Sequence, residues 1–336
     1  MNGTVKRNEF LDILKGIAII LVVVGHCIQY GSGHNYMTNS LYFSDFVFKL
    51  IYSFHMPLFM LISGYLFYYS VKKNSFKYNL INRLKTTIVP IFTYTLICYM
   101  LNKSLYFDIE SFLSNMFLNL WYLWAIFWCS LIVLLVEQAK KMKNILYTLI
   151  YLIMFFIPNI YNFHLYCFMY VFFILGFLFN KYNLKEYFKH RLRFASLISI
   201  IIFIILFMFY DINSYIYVSG YNIVKEGGFV QIFINIYRST IGLFGSVFLI
   251  STVKIILLKT DLKLKLLSYI GKNSLVIYII SGLIFAYLFP RINTYINGLN
   301  YIIIFIETIF VIILSLLPNL IIKRSRLLNF LILGSR

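Results

Sequence analysis

Charged residues are scarce in this sequence. Only 12% of its 336 residues are Asp, Glu, Lys or Arg, whereas 61% are hydrophobic. A soluble protein of this length carries about 25% charged residues on average. Apolar stretches long enough to cross a bilayer recur along the whole chain. The composition therefore excludes a soluble protein and predicts an all-α membrane protein.

Cysteine is also scarce. The four cysteines, Cys27, Cys98, Cys129 and Cys167, lie within or at the edge of apolar stretches. No two of them have the short spacing of a zinc motif or of a disulfide-bonded loop. We therefore expect no disulfide framework and no metal site, and we interpret these residues as small packing residues of helices.

Ten apolar segments predict a bundle of about ten transmembrane helices. They are residues 13–31, 45–70, 86–101, 119–137, 144–158, 165–179, 194–210, 231–257, 272–289 and 299–322. The first segment lacks a small-x-small cleavage site, so we expect it to be retained as a helix. No internal repeat or linker divides residues 1–336, which indicates a single membrane domain.

The net charge of +19 is explained by membrane topology. If the N-terminus is cytoplasmic, twenty-four of the 30 Lys and Arg residues fall on the inner side. Only Lys103, Lys225 and Arg291 fall in outer loops, and the other three lie within helices. This asymmetry predicts that both termini are cytoplasmic. It also argues against a nucleic-acid partner, because the chain has no room for a basic surface domain.

The first apolar segment, FLDILKGIAIILVVVGHCIQY, contains Asp12, Lys15 and His26. At about 100° per residue, Lys15 and His26 lie within about 20° of each other around the helix, and Asp12 within about 40° of His26. An ionisable group at membrane depth costs on the order of 2.5 kcal/mol or more, so this stripe should face a cavity or a partner. A neutral imidazole is the commonest general base, which makes His26 the candidate catalytic residue.

The second helix offers a possible wall for the same cavity. His55 lies in its outer half, and Pro57 follows, where it kinks the helix and frees a carbonyl. His55 is a candidate substrate-binding residue. A histidine that only bonds a neighbouring helix, and a kink that only serves packing, are the alternatives.

Basic residues gather where the inner mouth of the bundle is expected. Lys15 lies about 16 Å from His26 by helical rise, and Arg83 and Lys85 lead into the third helix ahead of Pro90. This cluster could hold a phosphorylated donor. The alternative is that inner loops are basic in any membrane protein.

Aromatic residues open the fourth helix at the outer interface. Trp121 and Tyr122 could stack on a sugar ring as substrate-binding residues, or could belong to the aromatic belt of the bilayer. The outer loops 32–44, 102–118 and 211–230 are rich in Tyr, Asn, Ser and Gly. That composition suits hydroxyl-bearing ligands as well as plain solvated loops.

Several of these stretches resemble the acyltransferase 3 family of integral-membrane O-acyltransferases, within it the branch of fucose 4-O-acetylases and related sugar O-acetyltransferases. FLDILKGIAIILVVVGH and SFHMPLFMLISGYLF are similar to the first two family motifs and are the most specific. The supporting stretches are NRLKTTIVPIF, WYLWAIF, YVFFILGFLFNK and IGKNSLVIYI.

The resemblance implies transfer of an acyl group from acyl-CoA to a hydroxyl of a glycan or glycolipid, with His26 as the catalytic histidine. Family members often have arginine where this chain has Lys15, which keeps the charge but loses the bidentate fork. They often have a histidine near the position of Ser281. No second base is therefore expected from the ninth helix.

We hypothesise that acyl-CoA, in particular acetyl-CoA, docks as a co-substrate near Lys15, Arg83 and Lys85, and that no cofactor is resident. His26 acts as a base or as a covalent acyl relay, and Asp12 orients or balances Lys15. A surface polysaccharide or lipid-linked sugar enters near His55, Trp121 and Tyr122. The expected location is the plasma membrane, with lipids as neighbours.

Two alternatives belong to other classes. A polysaccharide or lipid-linked sugar transporter would also be polytopic, aromatic and basic inside, and a structural partner in a glycan-assembly complex would need no catalytic residue. A transporter predicts broken inverted repeats, and none is evident in the sequence. The sugar, the hydroxyl, the acyl chain and the oligomeric state, including a homo-oligomer, stay open.

Overall fold

The structure, a computed structural model, describes residues 8–102, 108–224, 227–260, 264–292, 296 and 298–334. Within these ranges every regular element is a helix. The helices that correspond to the ten apolar segments are α1 (Glu9–Gly31), α2 (Phe46–Lys73), α3 (Phe76–Leu101), α4 (Trp121–Gln138), α5 (Lys143–Met154), α6 (Phe163–Lys181), α7 (Leu192–Phe207), α8 (Phe229–Lys259), α9 (Ser274–Ile292) and α10 (Tyr301–Arg324).

The predicted class of all-α, multi-pass membrane protein is confirmed. Among the described residues, eight of these helices are long and apolar enough to cross a membrane, and only α5 and α7 are shorter. The number of crossings stays a prediction. So does the side of the termini, because residues 1–7 and 335–336 lie outside the described residues, as do Lys103 and Lys225.

The third helix begins ten residues earlier than the apolar pattern predicts, at Phe76 rather than at residue 86. Ser75 accounts for this start, because its side chain accepts a hydrogen bond from Tyr78 N and caps the helix. The consequence is that Arg83 and Lys85 lie inside α3, about two turns from its start, rather than in the preceding loop.

Short helices fill the connections that the sequence presents as loops. They are His34–Thr38, Leu41–Ser44, Ile109–Leu118, Leu184–Lys189, Ile212–Ser214, Ile216–Ser219, Lys265–Lys272 and Arg326–Leu333. Among those that pack against the bundle, Lys265–Lys272 lies along the first half of α1, and Arg326–Leu333 lies along α3.

Close backbone contact fixes α1, the helix that carries His26. It packs against α2, α10 and the helix Lys265–Lys272. A Cβ atom at Gly16 would lie 2.1 Å from Leu267 O, so only glycine allows the two backbones to approach this closely. Asp12 lies at the same contact, because a Cβ atom at Gly271 would overlap its backbone carbonyl.

Two helices are interrupted by a wider, π-helical turn. The turn in α3 spans Leu84–Ile88, and the turn in α9 spans Ile284–Leu288. A proline follows each turn at the same distance, Pro90 in α3 and Pro290 in α9. A proline ring clashes with the carbonyl four residues earlier, and one extra residue in the turn relieves that clash. Such turns are frequent at functional sites.

An ionic network joins α4, α5 and α6 near one end of the bundle. The Glu137 carboxylate accepts hydrogen bonds from Lys181 Nζ at 2.7 Å, Lys143 Nζ at 3.0 Å and the Tyr147 hydroxyl at 3.0 Å. The Glu137 side chain is only 13% exposed. Removing one member of a shielded network leaves the others without a counter-charge, so the network holds these three helices together.

We expect Glu137→Gln to destabilise the protein by about 2 kcal/mol, because Lys143 and Lys181 lose their shared counter-charge. Thermal unfolding of the detergent-solubilised protein measures this as a lower Tm. Lys140→Gln is the matched control, since Lys140 is exposed on the neighbouring connection. Equal Tm values for the two variants would contradict a stabilising role of the network.

Candidate functional site

A cavity of about 440 Å³ lies at the end of the bundle where α1 ends and α4 begins. Ten of its sixteen lining residues are aromatic, and its polar groups include the imidazole of His26 and the hydroxyl of Ser281. The lining is His26, Gln29, Tyr30, Tyr42, Phe43, Phe48, Tyr52, Tyr94, Leu120, Trp121, Tyr217, Tyr278, Ser281, Gly282, Phe285 and Ala286. Mostly aromatic walls with a few polar groups are typical of a ligand site.

His26 lies on the wall of this cavity and is half-buried. The centre of its ring is 5.3 Å from the ring of Phe285 and 5.8 Å from that of Tyr30. Its buried Nδ1 atom has no hydrogen-bond partner among the described residues. The side chain of Gln29, on the next turn of α1, lies beside the imidazole. The predicted inward direction of His26 agrees with this placement.

Trp121 lines the same cavity and follows a residue with an unusual backbone. Leu120 has φ +46° and ψ +43°, the left-handed conformation that residues other than glycine seldom adopt. This conformation turns the chain into α4 and places both Leu120 and Trp121 on the cavity wall. The hydroxyl of Tyr278 accepts a hydrogen bond from the backbone N–H of Tyr122 at 3.4 Å, which caps the first turn of α4.

Tyr122 lies behind the wall rather than on it. Its hydroxyl is hydrogen-bonded to the Ser63 hydroxyl at 2.9 Å, and its ring packs edge-on against Tyr278. The guanidinium of Arg83 stacks on the Phe67 ring, 4.4 Å from the ring centre, and lies near Tyr122. Polar groups therefore continue from the cavity through Tyr278 and Tyr122 to the cation inside α3.

His55 also lies behind the wall. Its Nδ1 atom donates a hydrogen bond to Ile51 O at 2.7 Å, and the residue is buried. Its ring packs edge-on against Tyr52, at 4.8 Å between centres, and Tyr52 lines the cavity. The structure thus brings His55 next to a wall residue without placing it on the cavity surface.

The other predicted site residues lie toward the opposite end of α1 and α3. Asp12 is buried against the helix Lys265–Lys272, about 21 Å from His26 by helical rise. Lys15 and Lys85 are half-buried, and neither lines the cavity. The structure does not bring Asp12, Lys15 or Lys85 next to His26.

Several wall residues were not identified from the sequence. Phe285 and Ala286 lie in the π-helical turn of α9, and the recurrence of proline after both π-helical turns is a signal that could have marked them. Ser281, where the family resemblance suggests histidine, lies on the wall. Tyr52 and Tyr217 come from separate parts of the chain, and no local pattern distinguishes them from other aromatic residues.

The fold and the site together define a class, a helical membrane protein that holds an imidazole in an aromatic cavity inside its bundle. Comparison with known proteins gives the family. Residues 8–322 match the acyltransferase 3 family, described as "Acyltransferase domain". The chain belongs to this family, which favours an enzyme over a transporter or a structural partner.

Two curated relatives match parts of the chain, both described as "Nodulation protein NolL". The protein from Mesorhizobium japonicum is 35% identical over 133 residues, which cover 37% of this chain and 35% of the relative. The protein from Sinorhizobium fredii is 29% identical over 204 residues, which cover 58% of this chain and 55% of the relative. The matches thus span about a third and about half of those relatives. No solved structure matches.

The two histidines should respond differently to replacement. We expect His55→Gln to lower the free energy of unfolding by about 1–2 kcal/mol, because it disturbs a buried hydrogen bond to Ile51 O. His26→Gln should change stability much less, since His26 borders a cavity and its Nδ1 has no partner among the described residues. Thermal unfolding in detergent measures both. A larger loss for His26→Gln would contradict the assignment of His26 to the cavity.

Proposed function

We propose that this protein transfers an acyl group, in particular acetyl, from acyl-CoA to a hydroxyl of a glycan or glycolipid. The observation that carries the proposal is the position of His26 on the wall of an aromatic cavity of about 440 Å³. An imidazole directed at lipid would have excluded the chemistry, because neither a hydroxyl nor a thioester could reach it. The membership of the acyltransferase 3 family supports the same reaction class.

His26 is proposed to act on the acceptor hydroxyl. As a general base it takes the hydroxyl proton while the oxygen attacks the thioester carbonyl, the carbon–sulfur bond breaks, and the CoA thiolate recovers the proton. As a covalent relay, the imidazole takes the acyl group first and then passes it to the hydroxyl. Both routes produce an ester and free CoA. Gln29, beside the ring, is suited to hold the imidazole orientation.

The donor is proposed to enter from the end of the bundle where Lys15, Arg83 and Lys85 lie. Arg83 is the best placed of the three, because its guanidinium already extends into the bundle toward Tyr122. A guanidinium offers a fork of donors for phosphate or carbonyl oxygens. Ser63, Tyr122 and Tyr278 continue from there to the cavity, so the acyl-bearing arm of the donor would follow this row of hydroxyls. Asp12 is proposed to orient Lys15 from the same helix.

The acceptor is proposed to occupy the aromatic half of the cavity. Trp121, Tyr52 and Tyr217 present ring faces and edges on which the apolar side of a sugar can pack, while Ser281 offers a hydroxyl. His55 and Tyr122 support this wall from behind, through Tyr52 and Tyr278 respectively. We place the enzyme in the plasma membrane, where a surface polysaccharide or a lipid-linked sugar would supply the acceptor.

We expect His26→Ala to lower the rate of acyl transfer by about 10²–10⁴-fold if His26 is a general base, because that is the usual contribution of such a base. The loss should be larger if His26 is a covalent relay. Incubation of membranes with labelled acetyl-CoA, followed by analysis of labelled glycan, measures the rate. His34→Ala is the control, because His34 is exposed in an outer connection. Undiminished O-acetylation of the surface glycan in the His26→Ala strain would exclude the mechanism.

We expect Arg83→Gln to raise the KM for acetyl-CoA about tenfold or more, because a charge-assisted donor contact is lost. Arg83→Lys should recover part of the effect, since it keeps the charge without the fork. Lys77→Gln, an exposed position one turn and a half earlier in α3, is the control. An unchanged donor KM in Arg83→Gln, with the acceptor KM raised instead, would move Arg83 to the acceptor site.

A further inference from the structure

One stripe of α8 binds the segment that follows Ile216–Ser219. Gln231, Asn235 and Arg238 are spaced by four and three residues, so they share a face of the helix, and all three are buried. Gln231 Nε2 donates to Gly220 O at 2.9 Å, and Asn235 Nδ2 donates to Tyr221 O at 2.8 Å. Consecutive backbone carbonyls are thus held by side chains of a membrane-spanning helix.

Arg238 makes the deepest of these contacts. Its Nη1 donates to Gly220 O at 2.8 Å, and its Nη2 donates to Ser219 Oγ at 2.5 Å. Arg238 is nine residues, or about 13 Å, along α8 from the first residue of that helix. The segment therefore dips well into the bundle. Irregular backbone at that depth is tolerated where it is buried in protein or lines a cavity.

The same segment is fixed on its far side as well. Tyr221 is buried and stacks on Phe155 with 5.2 Å between ring centres and an angle of 8°. Ile223 N donates to Phe155 O, and Asn222 Nδ2 donates to Ile157 O, both at 3.0 Å. Residues 219–223 are thus bound both to α8 and to the end of α5.

What this anchored segment carries is part of the cavity wall. Tyr217, two residues before Ser219, lines the cavity with 45% of its surface exposed, and its ring lies 6.2 Å from that of Tyr52. Tyr215 is buried and donates its hydroxyl proton to Phe43 O at 3.2 Å, which ties the segment to the wall residue Phe43.

We propose that Arg238 is a positioning residue of the acceptor site: by clamping Ser219 and Gly220, it sets the place of Tyr217, which contacts the glycan acceptor. The inference rests on the proposed function. An arginine is suited to this task because its planar guanidinium donates to a carbonyl and a hydroxyl at once, whereas the donors of a lysine all lie on one nitrogen. An ionisable group this deep in a membrane helix is costly, which favours a functional role.

The test measures half-saturation for each substrate separately. The acceptor probe is detergent-solubilised glycolipid extracted from cells that lack this gene, titrated by dilution, and the donor is labelled acetyl-CoA. We expect Arg238→Gln and Tyr217→Ala each to raise the acceptor half-saturation about tenfold while the donor KM stays within twofold. Arg238→Lys should give an acceptor half-saturation between those of the wild type and Arg238→Gln. Thr240→Val, two residues further along the same helix, should match the wild type.

A double variant tests whether Arg238 acts through Tyr217. Arg238→Gln combined with Tyr217→Ala should be no worse than the stronger single variant, because the clamp has nothing left to position. Ser219→Ala removes one bond of the clamp with little risk to folding, and should raise the acceptor half-saturation about threefold. If Arg238→Gln does not fold, Ser219→Ala and Tyr217→Ala together test the inference.

Two results would overturn the inference while leaving the proposed function intact. One is an unchanged acceptor half-saturation in Ser219→Ala and Tyr217→Ala, while His26→Ala, assayed in parallel, abolishes transfer. The other is an equal loss of donor and acceptor affinity in Arg238→Gln. Absence of labelled glycolipid with the wild-type protein would instead contradict the proposed function itself.

Discussion

No water reaches the hydrocarbon interior of a bilayer, so each polar group at that depth has to be bonded by the protein or face a cavity. Most charged and polar side chains inside this bundle are bonded by other groups of the protein. Glu137 binds two lysines, His55 binds a carbonyl, and Arg238 binds the segment at Gly220. His26 faces the cavity instead, and its Nδ1 atom has no hydrogen-bond partner among the described residues. His26 therefore differs from His55 and Glu137, whose side chains are hydrogen-bonded within the protein.

The ten apolar segments and the inward direction of His26 could be predicted from the sequence, because both depend on local composition and helical period. Each predicted segment overlaps one helix, and the stripe that contains His26 does turn into the bundle. Helical period alone, however, overstates the grouping on α1. Asp12 and Lys15 share a face with His26, yet the distance along the axis separates them by several turns.

What the sequence could not give depends on contacts between distant parts of the chain. Tyr52 and Tyr217 meet across the cavity although 165 positions separate them in the sequence. The connection after α7 reads as a solvated loop, because its Tyr, Asn, Ser and Gly content suits water as well as protein. Only the hydrogen bonds of Arg238 in α8 to Gly220 O and Ser219 Oγ show that this connection enters the bundle. In the same way, the helix Lys265–Lys272 covers Asp12, and nothing near Asp12 announces it.

The π-helical turn of α3 has a consequence for how the two ends of the protein are aligned. Arg83 precedes this turn and Tyr94, a cavity residue, follows it. One extra residue in a helix rotates everything beyond it by about 100°. Loss of a single residue between them would therefore swing Tyr94 away from the cavity while Arg83 kept its direction toward Phe67. The angular relation between Arg83 and the cavity is thus encoded in the number of residues in this turn, which a substitution leaves intact and a deletion changes.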